Sequence, residues 1–123
     1  MKHNAIGWFE IYVQDMARAR KFYETVLDRK LERLAAGGLE MYSFAGETAA
    51  PGSAGALVYM PGFPSGGNST LVYFVCDDCA VEEARVMKAG GRIEKPKFSI
   101  GEYGFISLVY DTEGNMFGLH SMA

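Results

Sequence analysis

The chain contains one C-x-x-C, Cys76-Asp77-Asp78-Cys79. It lies where a strand passes into a helix, the usual place for thioredoxin-like thiol chemistry. There the positive end of a helix lowers a thiol pKa. The two acidic residues between the sulfurs oppose this, because nearby negative charge disfavours thiolate. A zinc site would need two further ligands, and there is no second C-x-x-C. The simpler reading makes Cys76 the end of a buried strand and Cys79 a first-turn helix residue. Other chemical signatures are missing from the sequence. There is no G-x-G-x-x-G, no P-loop and no G-x-S-x-G elbow. Ser65, Ser69 and Ser121 have no His and Asp partners at an informative spacing. Of the two histidines, His3 falls in the N-terminal tail and reads as solvated, which leaves His120.

The elements that must position such residues come in two sets. Residues 5–13, AIGWFEIYV, read as a strand. Asp15 then caps a helix whose Ala19, Phe22, Tyr23, Val26 and Leu27 recur at three- and four-residue steps on one buried face. Short strands follow near 30–35, 39–45 and 55–60, split by glycine-rich turns. The order then repeats. A strand covers 70–76, Asp77 or Asp78 caps a helix over about 79–89, and Ala89-Gly90-Gly91 ends it. Strands near 92–97, 103–110 and 116–121 complete the set. Val13 and Asp15 register on Val75 and Asp77. PGFPSGGNS, residues 61–69, is a linker of turn formers. Two copies of strand, helix and three strands argue for two packed modules and against a solenoid.

Composition sets bounds on partners. A length of 123 residues with 49% hydrophobic and 22% charged residues suits one globular domain. A net charge of -3 gives no electrostatic footprint for nucleic acid or for an acidic membrane. No apolar run reaches transmembrane length, and MKHNAIGWFE lacks the features of a signal peptide, so a cytoplasmic protein is expected. Seven Met, seven Tyr, eight Phe and one Trp would suit either an apolar cavity or a well-filled core.

Three stretches carry a family resemblance: VQDMARARKFYETVL, VCDDCAVEEARVMKAGG and DTEGNMFGLHS. In that order, within a duplicated βαβββ pattern, the chain resembles the vicinal-oxygen-chelate superfamily. That is the fold of glyoxalase I, bleomycin-resistance proteins and extradiol dioxygenases. The resemblance implies an α+β fold in which two tandem βαβββ modules form a cup-shaped mixed sheet with helices outside. It implies a single glyoxalase-like domain over 1–123, with module one at about 5–60, linker 61–69 and module two at about 70–121.

The metal-binding members take ligands from the first and last strands of each module, usually His and Glu. Seven residues before the helix-starting Asp stand Trp8 and, counting from Asp77, Thr70. The last-strand slots fall within Ala56–Met60 and at Gly118, in the run Asp111-Thr-Glu113-Gly114-Asn115 followed by Met116 and Phe117. None of these is a good ligand, and a catalytic zinc needs about three. The expectation is therefore no metal and no cofactor. Metal-dependent lyase or dioxygenase activity is not expected.

Strand parity from those slots predicts a cavity lined by Trp8, Glu10, Tyr12, Thr70, Val72, Phe74, Met116 and His120. Two readings of Glu10 stand side by side. A carboxylate inside an apolar cup has a raised pKa and can act as a general base. The same Glu, paired to Arg or to backbone amides, is a structural anchor. His120 is either a proton shuttle with Glu10 or a half-exposed residue near the chain end. The resemblance implies a small organic ligand and a homodimer. The expected function is a binder without the family metal site; the alternative is a metal-independent enzyme on a small carbonyl or carboxylate compound using Glu10 and His120.

Overall fold

Two aspartates start the two helices of the computed structural model, which describes residues 4–34, 38–46 and 50–123. His3 lies outside the described residues. Asp15 accepts from Arg18 N at 3.1 Å and opens α1 (Met16–Leu27). The residues expected on its inner face, with Met16, are buried, apart from a half-buried Leu27. Asp78 accepts from Ala80 N at 3.0 Å and opens α2 (Cys79–Val86). Beyond Val86 the chain turns through Gly90, at φ +102, where an L side chain would be strained.

Asp78, not Asp77, is therefore the residue equivalent to Asp15. The backbone agrees: Val13 N donates to Val58 O, and in the second module Cys76 N donates to His120 O. This corrects the expected register by one residue. Val13 corresponds to Cys76, and the position seven before the cap is Leu71 rather than Thr70.

Eight strands form two four-stranded mixed sheets. In the first, β1 (Glu10–Tyr12) runs parallel to β4 (Ala56–Tyr59), which pairs antiparallel with β3 (Glu40–Ser43) and then β2 (Glu32–Arg33). In the second, β5 (Tyr73–Val75) runs parallel to β8 (Met116–Ser121), followed by antiparallel β7 (Phe105–Tyr110) and β6 (Arg92–Ser99). The two orders, β1-β4-β3-β2 and β5-β8-β7-β6, are the same. The chain is thus α+β, built from two βαβββ modules. The expected strands 5–13 and 70–76 pair over shorter spans than their apolar runs.

One core serves both modules. Ile11, Val13, Leu57, Phe117 and Leu119 pack inward with the apolar face of α1. Tyr23 is its hub, with ring centroids 5.5 Å from Phe44, 6.0 Å from Phe74 and 5.2 Å from Phe117. These spacings suit edge-on and tilted aromatic packing. Phe44 belongs to the first module, whereas Phe74 and Phe117 belong to the second.

The turn Asp111–Asn115 clasps the modules together. Asp111 accepts from the Tyr23 hydroxyl at 2.6 Å and from the N–H groups of Glu113 at 2.7 Å and Asn115 at 2.8 Å. Glu113 reaches the start of α1, accepting from Gln14 N and Asp15 N at 2.9 Å and from Arg18 Nε at 2.7 Å. Burial alone would raise the Glu113 pKa. The Arg18 guanidinium, the Asp15 and Gln14 amides and the Thr112 hydroxyl outweigh it and hold the group at about 2.

Candidate functional site

Trp8, Glu10 and Tyr12 alternate along the first strand, and their side chains meet on the face turned away from α1. Trp8 Nε1 donates to Glu10 Oε2 at 3.3 Å, and the Tyr12 hydroxyl donates to Glu10 Oε1 at 2.7 Å. The bond to Glu10, then burial, then the carboxylate charge raise the Tyr12 pKa. Phe63 stacks on Tyr12 with centroids 5.1 Å apart. Glu10 itself is exposed. The expected enclosure in an apolar cup, which would make it a base by desolvation, is not present in the chain alone. Its partners are a phenol and an indole rather than an Arg or backbone amides.

Beside this strand lies a cavity of about 330 Å³, between β1, the linker and the start of β8. It collects Glu10, Tyr12, Thr70, Val72 and Met116. Phe9, half-buried, brings an aromatic ring to it, and Tyr23 and Phe117 lie fully buried behind. The linker supplies a wall from Pro64, Gly66, Gly67 and Asn68, whose residue types signal only turns. That wall is fastened at several points. Gly66 N donates to Asn115 Oδ1 at 2.6 Å, and Ser65 Oγ donates to Glu113 O at 2.7 Å. Asn68 pairs both ways with Met116: Nδ2 donates to its carbonyl at 2.7 Å, and Oδ1 accepts from its N–H at 3.0 Å.

The other expected lining residues lie elsewhere. Trp8 is 45% exposed and touches the site only through Glu10. Phe74 faces inward, 5.5 Å from Phe117 and 5.1 Å from Phe44 between ring centroids. The residues that share the outer face with Gly118 are Tyr73 and Val75, since Tyr73 pairs with Gly118 and Val75 with His120. This corrects the parity assigned to Thr70, Val72 and Phe74, and it follows from the one-residue shift of register. His120 does keep the face of Gly118. Its Nε2 lies 2.6 Å from Tyr103 O, and a carbonyl can only accept, so that nitrogen carries the proton. The cavity takes in Glu10 but not His120.

The same register locates the family's metal slots. Ala56 pairs with Glu10 as Gly118 pairs with Tyr73, so the slots hold Trp8, Leu71, Ala56 and Gly118. An indole N–H only donates, and the other three have no ligating atom. A Cβ placed on Gly118 would clash with the Tyr73 ring, so an aromatic occupies the space a ligand side chain would need. Among the described residues no three His, Cys, Asp or Glu side chains converge. The residues present do not fit the family's metal. Cys76 and Cys79 are buried and free, and burial pushes the Cys76 thiol up to about 12, far from a reactive thiolate.

Among the described residues no helix is long and apolar enough to cross a membrane. The fold recurs in solved structures. TnmS3, an antibiotic binding protein from Streptomyces sp. CB03234, superposes with a TM-score of 0.68 and 23% identity, covering 100% of this chain and 99% of that one. A glyoxalase/bleomycin resistance protein from Albidiferax ferrireducens gives 0.67 at 20% identity, covering 96% and 98%. A glyoxalase I variant from Zea mays gives 0.72 at 22% identity, covering 94% of this chain and 45% of that one. At these identities the likeness is one of fold. In sequence, the chain is 30% identical over 119 residues to CFP32 of Mycobacterium tuberculosis and Mycobacterium bovis, a candidate glyoxylase. The match takes in 92% of this chain and 44% of each relative, so the chain spans less than half their length. The model of the Glyoxalase/Bleomycin resistance protein/Dioxygenase superfamily matches residues 5–119, and the chain belongs to that superfamily.

Proposed function

We propose that this protein binds a small organic molecule in the cavity beside β1, without the metal its superfamily commonly uses. The observation that carries this reading is the pairing of a walled aromatic cavity with four metal slots that hold no ligand. A volume of about 330 Å³ is at the lower end of the range for small-molecule sites. Phe9, Val72 and Met116 offer apolar surface, and Glu10 and Tyr12 offer a pre-oriented acceptor and phenol at one side. Preorganisation of this kind lowers the cost of ordering the site on binding. TnmS3, an antibiotic binding protein, shares this fold, which is thus able to house a small organic ligand.

A homodimer accompanies this reading. The outer sheet face exposes Tyr73 at 44% and Val75 at 91%, and Leu71 and Trp8 are exposed as well. Exposed large apolar side chains of this kind favour a protein partner. A second copy of the chain would cover it.

The acid–base alternative has Glu10 at the cavity and His120 bonded to Tyr103 O outside its lining. Nothing in this geometry favours a proton transfer between them.

The test has two parts. Untagged protein is incubated with zinc, nickel, manganese and iron, desalted and assayed for bound metal. It is then screened against aromatic compounds by thermal shift and amide chemical shifts. Metal well below stoichiometric, with ligands that perturb residues 64–70 and 115–117, is the expected result. Near-stoichiometric metal, or no stabilising ligand above fragment size, overturns the proposal.

A further inference from the structure

The cavity beside β1 has a sign. Among the described residues that line it none is Lys, Arg or His, and Glu10 carries its one formal charge. A second cavity, of about 560 Å³, shares Phe9 and Val72 with it but brings Arg29 and Glu82 together, so that lining carries both signs. In the first cavity the amide donors are already committed. Asn68 Nδ2 donates to the carbonyls of Thr70 and Met116, and Asn115 Nδ2 to Tyr12 O and Asp111 Oδ2. An amide nitrogen has two protons, so neither side chain has one left for a ligand. The Tyr12 proton is committed as well, to Glu10 Oε1.

What the first cavity has to spare is acceptors. Glu10 is exposed, and each of its oxygens accepts one bond, from Trp8 Nε1 or from Tyr12, and keeps a second acceptor position. The Tyr12 oxygen, having donated, still accepts. The Ser69 and Thr70 hydroxyls can turn either way. A ligand that satisfies this set must therefore donate. An ammonium brings three N–H donors and the charge that balances Glu10, and the rings of Phe9 and Tyr12 attract cations. A carboxylate would meet like charge and no free amide. We propose that the first cavity selects organic cations, taking an apolar or aromatic molecule with a protonated amine, the amine on Glu10 and Tyr12 Oη and the apolar part against Phe9, Val72 and Met116. The assignment rests on the binding role proposed for that cavity and gives its ligand class.

The test titrates 2-phenylethylamine into the whole chain and follows amide chemical shifts. Two probes of similar size, neutral 2-phenylethanol and anionic 3-phenylpropionate, are run beside it. The expected result is perturbation at residues 10–12, 66–70 and 115–117, with the amine favoured about fivefold over the alcohol, the worth of one partly exposed charged pair, and the anion weakest. Glu10→Gln should abolish the preference for the amine over the alcohol. The unliganded spectrum of the variant reports whether it folds; if it does not, the three-probe comparison in the wild type still decides. Equal or tighter binding of the alcohol or the anion at these residues overturns the charge selection and leaves the cavity a small-molecule site. A preference retained in folded Glu10→Gln overturns the role of Glu10, and with it the proposal. Perturbation confined to 50–54 and 73–75 overturns it as well, by placing the amine in the second cavity. No binding of any probe at millimolar concentration also overturns it, whereas the binding role itself falls only if the wider screen of aromatic compounds is empty too.

Discussion

Tyr23 donates its phenol proton to Asp111 Oδ2 at 2.6 Å, and both side chains are buried. The bond ties the middle of α1 to the last turn of the second module. Burial raises the Asp111 pKa, and the donors around it, Tyr23 first, work against that rise. Replacing Tyr23 by Phe keeps the ring packing and removes one donor. We expect a loss of about 1–3 kcal/mol, the cost of an unmet bond to a buried carboxylate. Urea denaturation of the single variant reads this directly. A change below about 0.5 kcal/mol would show that Asp111 finds another partner.

Glu113 makes stability depend on acid. Its pKa in the folded chain is about 2, against an ordinary 4.5. The stabilisation is present above the ordinary value and is lost as pH falls through the folded one. The shift corresponds to about 3 kcal/mol at neutral pH. Asp111, shifted upward, acts in the opposite sense and softens the loss. Melting temperature should therefore fall between about pH 4.5 and pH 2. Glu113→Gln should be less stable at neutral pH and should lose much less on acidification across that range. An equal acid slope in both proteins would refute the assignment.

Gly118 is held open by an aromatic ring rather than by backbone. A Cβ there runs into Tyr73 Cδ1, and Tyr73 is 44% exposed, so the ring can swing away at modest cost. Gly118→Ala should destabilise by about 1 kcal/mol. In a Tyr73→Ala background the same change should cost almost nothing, because the clash is gone. A double-mutant cycle with no coupling would disprove the contact.

Glu10 and Tyr12 are expected to matter for ligand and not for folding. Glu10 is exposed and Tyr12 half-buried, so Glu10→Gln and Tyr12→Phe should each alter stability by less than about 0.5 kcal/mol. Affinity for a ligand of the first cavity should fall several-fold in each. Loss of folding instead would make the Trp8–Glu10–Tyr12 group a structural anchor.

Val75 reports on association. It is 91% exposed on a strand face, and a charge there would be buried unpaired in any dimer that uses that face. Val75→Asp should shift the molecular mass from dimer to monomer by sedimentation, with the amide spectrum otherwise preserved. A wild type that is already monomeric at high concentration would remove the dimer from the proposal.

Much of the fold was legible in the residues because its signals are local. The capping Asp15, the helical spacing of Ala19, Phe22, Tyr23 and Val26, and the glycine-rich stop after α2 fix the elements without long-range information. Register was harder. Asp77 and Asp78 are both good caps, and the bonds from Ala80 N to Asp78 and from Cys76 N to His120 O decide between them. That one-residue shift reversed the expected facing of Thr70, Val72 and Phe74, since side chains in a strand alternate. The linker's part in the first cavity was not legible either. Its composition signals turns, while its position depends on Asn68, Gly66 and Ser65 meeting residues 113–116. No periodicity reports a pairing across such a distance.

The stretch joining the modules has a consequence for how such proteins can be rearranged. Asn68 and Gly66 tie it to Met116 and Asn115 at the start of β8, and its backbone is one side of the first cavity. A chain cut in the tether, or with its two halves in exchanged order, retains every strand pairing and both helices. It would still surrender the wall that defines what the cavity beside β1 admits. Covalent continuity is here a component of selectivity.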